Sequence, residues 1–167
     1  MGVYAFKAGG FVGVISDTHG LVRPEAVGAL AGSELIIHAG DVGGPEVLEE
    51  LGRLAPVVAV RGNNDRGAWA EALAEYEAVE VNETFVYVLH DLKELDIAPA
   101  AAGFSVVVSG HSHRPLVEER RGVLYLNPGS AGPRRFKLPV TVARLRLNGG
   151  DASAEIIHLN VSGTVRR

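Results

Sequence analysis

The chain reads as an α/β domain in which two β-sheets pack face to face with helices on the outside. Three observations predict this. Short apolar runs alternate with Pro-initiated helical stretches over residues 11–60, the pattern of parallel β-α-β units. The second half turns to short strands joined by turn-like pairs. Nearly every apolar run ends in a Gly-containing polar string rich in Asp, Asn or His, as buried strands with loops at their carboxyl ends would.

The elements follow in order. Residues 11–15 form the first buried strand, and Pro24 opens a helix over 24–31, since its fixed φ and missing N–H suit a first helical turn. A second strand at 35–39 stops at Gly40. A second helix runs from Pro45 through Leu51, with Glu46, Glu49 and Glu50 on its wet side. The third strand, 57–60, is broken by Gly62, and a third helix is expected over 68–74. Strands at 78–81 and 85–89 are joined at Asn82-Glu83, and 106–108 is another buried strand. Residues 116–119 and 123–126 flank Arg121-Gly122 as a hairpin. Strands at 140–147 and 154–159 follow. Residues 1–10 read as a loose lead-in and 161–167 as a frayed tail.

At 167 residues the chain has the size of one domain, 1–167 with its core over about 11–159, and 47% hydrophobic residues suffice for a core. A net charge of −4 gives no general attraction to nucleic acid or membranes. The absence of cysteine excludes disulfides, thiolate metal sites and cysteine nucleophiles. No apolar stretch reaches the ~18 residues of a membrane span, and the start lacks the charged-then-apolar pattern of a signal peptide. The expectation is a cytoplasmic protein without a membrane partner.

Seven residues carry the chemistry: Asp17, His19, Asp41, Asn63, His90, His111 and His113. Asp17 and His19 are two apart in a turn after a strand, so both can reach one metal. Asp41 alone also fits a helix cap, Asn63 alone a turn, and His90 alone a structural histidine. His111 and His113, two apart after Gly110, are a recurrent way to offer neutral imidazoles to a metal. The conjunction decides: oxygen and nitrogen ligands delivered repeatedly to one sheet edge are what a pair of divalent ions needs. His38, beside Ile36 and Ile37, reads as a supporting residue and not a ligand.

The strings Ile15-Ser16-Asp17-Thr18-His19-Gly20, Ile37-His38-Ala39-Gly40-Asp41, Val60-Arg61-Gly62-Asn63-Asn64-Asp65, Val108-Ser109-Gly110-His111-Ser112-His113 and Leu126-Asn127-Pro128-Gly129-Ser130 resemble those of the calcineurin-like metallophosphoesterase superfamily, in particular its small bacterial and archaeal phosphodiesterases. The resemblance spans residues 11–159. It implies a four-layer α/β/β/α sandwich of two mixed sheets flanked by helices. It also implies two divalent ions (Mn, Ni, Fe or Zn), one held by Asp17, His19 and His113, the other by Asn63, His90 and His111, with Asp41 bridging. The implied activity is hydrolysis of a small phosphodiester by a metal-activated hydroxide. Asp41, Asn63 and His113 carry the catalytic expectations, His113 as a candidate donor to the leaving group.

The chain departs from the family pattern twice. Asn64 stands where many members have a histidine able to protonate the leaving group, which points to easy leaving groups or an acid from elsewhere. Asp91-Leu92 stands where His-Gly-His is common in the branch, putting a carboxylate beside the metals. Asn64 and Asp91 are the candidate substrate contacts. Arg134, Arg135, Lys137 and Arg61 are open to either a substrate phosphate or solvent. The alternatives are a phosphomonoesterase, a nuclease-like hydrolase, or a non-catalytic protein-binding scaffold such as the retromer subunit of this fold. Large nucleic acids are not indicated, and exposed edge strands leave room for a homodimer.

Overall fold

The protein is described from a computed structural model that covers residues 1–161. The expected tail therefore lies almost wholly outside the described residues.

Eleven strands are described: β1 Gly2–Tyr4, β2 Val12–Ile15, β3 Leu35–His38, β4 Val57–Ala59, β5 Tyr76–Val81, β6 Thr84–Leu89, β7 Val106–Val108, β8 Leu116–Arg120, β9 Val123–Asn127, β10 Thr141–Asn148 and β11 Asp151–His158. The helices are α1 Pro24–Leu30, α2 Pro45–Gly52, α3 Ala68–Glu71 and a 3₁₀ turn at Leu92–Glu94. One sheet has the order β1-β5-β6-β7-β9-β8, the other β11-β10-β2-β3-β4. Both are mixed. β2, β3 and β4 are parallel in one sheet, and β6, β7 and β9 are parallel in the other. Their carboxyl ends carry the candidate strings.

Side chains alternate across each strand, so every inner strand has two apolar faces to satisfy. Val12, Val14, Leu35 and Ile37 from one sheet meet Val86, Val88, Val106 and Val108 from the other in the core between the sheets. The opposite faces of β2 and β3 place Ile15 and Ile36 against Ala26 and Leu30 of α1 and Val47 and Leu51 of α2. The outer face of the other sheet has no long helix. Tyr87, Leu89, Val107 and Val123 are covered instead by Leu92, Leu95, Ile97 and Phe104, from the 3₁₀ turn and the loop after it. The sandwich is thus the expected one, with a thin fourth layer.

The structure differs from the sequence reading at the amino terminus. Residues 2–4 are not a loose lead-in: β1 pairs in parallel with β5, while Tyr4 and Phe6 pack on the inter-sheet core. The Phe6 N–H donates to Asn82 Oδ1 at 2.8 Å. Three residues are too few for alternation to register, and the pairing partner lies more than seventy positions away. The third helix stops at Glu71, three residues short of the expectation, and Ala74 instead gives its carbonyl to the Arg61 N–H at 2.8 Å. No helix among the described residues is long and apolar enough to cross a membrane.

Candidate metal centre

All seven candidate ligands gather at the carboxyl ends of β2, β3, β4, β6 and β7. The loops after β2 and β3 are laced together beyond their strands. Asp17 N–H donates to Gly40 O, and His19 N–H to Asp41 O, each at 3.0 Å. Five of the seven have positive φ: Asp17 55°, His19 47°, Asp41 53°, His111 69° and His113 60°. Such a backbone costs a non-glycine residue ~1–3 kcal/mol. At His19 it belongs to the turn closed by Leu21 N–H donating to Thr18 O at 2.9 Å, and at His111 to the tighter one closed by Ser112 N–H donating to Gly110 O at 2.8 Å.

The side chains converge as two overlapping groups. Asp17, His19 and His113 offer ligand atoms all within 4.8 Å of one another, and so do Asp17, Asp41 and His90. Asp17 Oδ1 lies 3.2 Å from His113 Nε2 and 3.9 Å from His90 Nε2. Asp41 Oδ2 faces His19 Nε2 at 3.8 Å and His90 Nε2 at 3.4 Å, one imidazole from each expected set. Asn63 Oδ1 lies 3.0 Å from His90 Nε2 and 3.2 Å from His111 Nδ1. The centre thus presents carboxylate oxygens, an amide oxygen and imidazole nitrogens to one another.

Neighbouring groups set the tautomers. His90 Nδ1 is 2.6 Å from Ala39 O, a pure acceptor, so Nδ1 carries the proton and Nε2 faces the centre. The far nitrogen of His111, Nε2, lies 3.7 Å from Asp91 Oδ2. Burial pushes the Asp41 carboxyl up, but His90 and the Asn64 backbone and side-chain donors outweigh it and hold Asp41 well below the usual carboxylate range. Asp17 follows the same balance: burial opposes, and contacts with His113, Ser16 and His90 bring its pKa down. Burial lowers the His19 pKa. His90 is raised despite burial, through Asp41 and the Ala39 carbonyl. Both aspartates are therefore ionised at neutral pH.

Three fully buried atoms here, Asp17 Oδ1, His19 Nε2 and His113 Nδ1, have no hydrogen-bond partner. Buried polar atoms are rarely left so. A cluster of acceptors with orphaned members fits divalent cations.

A model of the calcineurin-like phosphoesterase superfamily domain matches residues 11–150. The chain belongs to the calcineurin-like phosphoesterase superfamily. A probable metallophosphoesterase of Methanothermobacter thermautotrophicus is 41% identical over 157 residues, covering 87% of this chain and 91% of its own length. The solved structure of an archaeal phosphodiesterase aligns with a TM-score of 0.73 at 25% identity, over 88% of this chain and 99% of its own. Vps29 of Chaetomium thermophilum shares the fold, with a TM-score of 0.72 at 18% identity over 90% of this chain and 97% of its own. Metal-dependent phosphoester hydrolysis is thus the class of chemistry.

In this calcineurin-like phosphoesterase the ligand loops are tied by residues to which the sequence reading gave no positioning role. Asp65 is buried and accepts from three backbone N–H groups, Gly62 at 2.8 Å, Gly43 at 2.9 Å and Val42 at 3.2 Å, joining the Asp41 loop to the Asn63 loop. Its signal was there in the Gly-Asn-Asn-Asp string, as a carboxylate three residues after a glycine. Asn127 Nδ2 donates to Gly110 O at 2.9 Å and Ser112 Oγ at 3.1 Å, bracketing His111. Ser130 Oγ donates to Asp17 O at 3.0 Å. The Asn-Pro-Gly-Ser string therefore braces both sheets' ligand loops.

His38 is a support, as expected. Gly40 N–H donates to His38 Nδ1 at 3.2 Å, so the ring proton sits on Nε2, which reaches Thr18 Oγ1 at 2.9 Å. Thr18 Oγ1 donates onward to Val42 O at 2.8 Å. Complete burial lowers the His38 pKa to about 4.

The two candidate substrate contacts are hydrogen-bonded within the protein, and Asp91 also lines the cavities beside the centre. Asn64 donates to Asp41 twice, N–H to Oδ1 at 2.9 Å and Nδ2 to Oδ2 at 2.8 Å. Asp91 caps the 3₁₀ turn through the Lys93 N–H at 3.0 Å, with its other oxygen toward His111. Arg61 pairs with Glu75 at 3.0 Å.

Proposed function

We propose that the chain is a dinuclear metal-dependent phosphodiesterase of small substrates. The observation that supports it best is the pair of overlapping acceptor groups, in which buried Asp17 Oδ1, His19 Nε2 and His113 Nδ1 lack a hydrogen-bond partner. Asp17, His19 and His113 would hold one ion, Asn63, His90 and His111 the other, and Asp41 both. Mn, Fe, Ni or Zn suits this oxygen and nitrogen set. When bound, such ions supply Lewis acidity toward a phosphoryl oxygen and acidify a water.

The chain's own residues do the rest. Asn64 fixes the Asp41 carboxylate by two hydrogen bonds and keeps it ionised, and Ala39 O fixes the His90 ring. Neither Asn64 nor His113 is set to protonate a leaving oxygen. Asn64 is an amide, and His113 is 3% exposed, with Nε2 on Asp17 and a buried Nδ1. Good leaving groups are therefore favoured.

Two cavities meeting at Asp91 and His111 favour a diester over a monoester: one of about 290 Å³ that includes Asn63 and His90, and one of about 970 Å³ on the far side. A diester has two arms to place. The test is release of p-nitrophenolate from bis-p-nitrophenyl phosphate with Mn²⁺, Ni²⁺ or Zn²⁺, with Asp41→Asn as comparison. Metal-dependent turnover that falls by at least about a hundredfold in Asp41→Asn is expected. Full activity in that variant would sink the bridging role. Stoichiometric metal without turnover of any ester would favour a binding scaffold.

A further inference from the structure

The two cavities differ in chemistry, and the difference assigns the arms of the substrate. The smaller one is lined by Arg61 and Arg66 but also by Asp65, Glu75, Asp91 and Glu94, and Arg61 is already paired with Glu75. Its charged side chains are two cations against four carboxylates. The larger one has walls of Leu92, Pro115, Leu116 and Leu138 with Lys93 and Arg114 among them. Arg114 and Leu138 also line a third cavity, of about 640 Å³, with Phe136 and Lys137, so the two form one groove leading away from His111.

Along this groove Lys93, Arg114 and Lys137 are basic and only Asp91 is acidic, in a chain of net charge −4. None of the three cations has an acidic partner within 4.0 Å among the described residues. At the outer end Phe136 is 87% exposed and held at φ 52°. That conformation belongs to the turn closed by Leu138 N–H donating to Arg135 O at 3.1 Å, which presents the ring to solvent. Apolar walls, an exposed aromatic ring and an arginine make a stacking surface, and the unpaired cations along the same groove suit a second anion.

Resting on the phosphodiesterase reading, we propose that this groove binds the retained arm of the diester, and that this arm is a nucleotide: a planar base with a further phosphate of its own. The leaving arm then lies in the smaller cavity. Hydrolysis places a water oxygen on phosphorus, breaks the bond to the leaving oxygen and releases one proton to solvent. The nucleotide monoester stays on the groove side.

Three p-nitrophenyl diesters test this: methyl p-nitrophenyl phosphate, thymidine 5′-(p-nitrophenyl phosphate), and the same compound carrying a 3′-phosphate. All release p-nitrophenolate, so the leaving group is constant. For the wild type kcat/KM should rise from methyl to thymidine. It should rise again by about tenfold with the 3′-phosphate, the scale of one charge-assisted contact. Arg114→Ala should bring the ratio between the two thymidine substrates close to one, chiefly through KM, and Arg114→Lys should keep most of it. Phe136→Ser should lower the thymidine-to-methyl ratio. Equal wild-type kcat/KM on the two thymidine substrates, or a ratio untouched by Arg114→Ala, overturns the inference while leaving the phosphodiesterase reading intact. Absence of metal-dependent turnover of all three overturns that reading, and the inference with it.

Discussion

Replacing His38 by Leu tests whether a buried neutral imidazole holds the two metal-facing loops together. His38 is fully buried at the end of β3 and joins Gly40 N–H to Thr18 Oγ1, one group from each loop. Leu fills a similar volume but leaves the Gly40 N–H without a partner, a loss of roughly 1–3 kcal/mol. The pH dependence makes the test specific. Burial lowers the His38 pKa to about 4, against an ordinary 6.5 in the unfolded chain. The native state therefore refuses a proton that the unfolded state takes up. The stability this contributes is complete above about pH 6.5, falls as the pH drops toward 4, and changes no further below that. Between pH 7 and pH 5 the wild type loses about 2 kcal/mol from this group alone. The Leu variant loses nothing from that position. Its deficit of about 2 kcal/mol at pH 7 should therefore almost vanish at pH 5. His19, whose pKa is lowered by burial, and His90, whose pKa is raised through Asp41 and the Ala39 carbonyl against the opposing effect of burial, are present in both proteins and drop out of the difference. Urea unfolding of EDTA-treated protein, followed by circular dichroism at both pH values, measures it. An equal deficit at pH 5 and pH 7 would refute the argument, because it would mean that His38 accepts a proton in the folded state as readily as in the unfolded one.

Other perturbations have equally definite outcomes. Asp91→Gly removes the carboxylate 3.7 Å from His111 Nε2, and should weaken binding of the more loosely held ion by about tenfold. Isothermal titration with Mn²⁺ or Zn²⁺ reads this, and unchanged affinity would leave Asp91 as no more than a cap for the 3₁₀ turn. Gly62→Ala drives a Cβ into the Asp41 backbone and carboxylate. It should cost roughly 2–3 kcal/mol together with the metal site, seen as a lower thermal midpoint and fewer ions bound per chain; a fully metallated, equally stable variant would contradict that packing.

Much of the arrangement was legible because strands buried on both faces announce themselves. Val106–Val108 is a run of three valines, all fully buried, so its ends could be read from the run itself. The glycines that stop these runs are also the ones that let the loops close in. A Cβ on Gly40 would lie 2.6 Å from His90 Nδ1, a contact that needs the fold before it has meaning. β1 was not legible, since its partner β5 is supplied by distant sequence. Nor were the duties of Asn64 and Asp91. An amide beside Asn63 can turn to a substrate or to a carboxylate, and only the approach of the β3 and β4 loops decides for Asp41. The backing of the six-stranded sheet by a 3₁₀ turn was hidden for another reason. Leu92, Leu95 and Ile97 are spaced too irregularly for a helix or strand, yet they bury against Tyr87 and Val107 all the same.

The candidate ligands are drawn together by hydrogen bonds between their loops. Asp65 ties the Asp41 loop to the Asn63 loop, Asn127 grips the loop of His111, Ser130 holds the Asp17 loop, and His38 with Thr18 joins the first loop to the second. Each tether is a hydrogen bond from a buried or nearly buried group, the kind whose loss leaves an unpaired partner in a low-dielectric interior. Together they hold five ligand residues in a left-handed backbone and two aspartates within reach of the same imidazoles. The cost falls on the folded state, which the valine-rich core between the sheets offsets at ~1.5–3 kcal/mol for each large apolar side chain buried. Strain and like-charge proximity at the strand ends are set against packing between the sheets, and the loops' own hydrogen bonds fix the backbone that carries the candidate ligands.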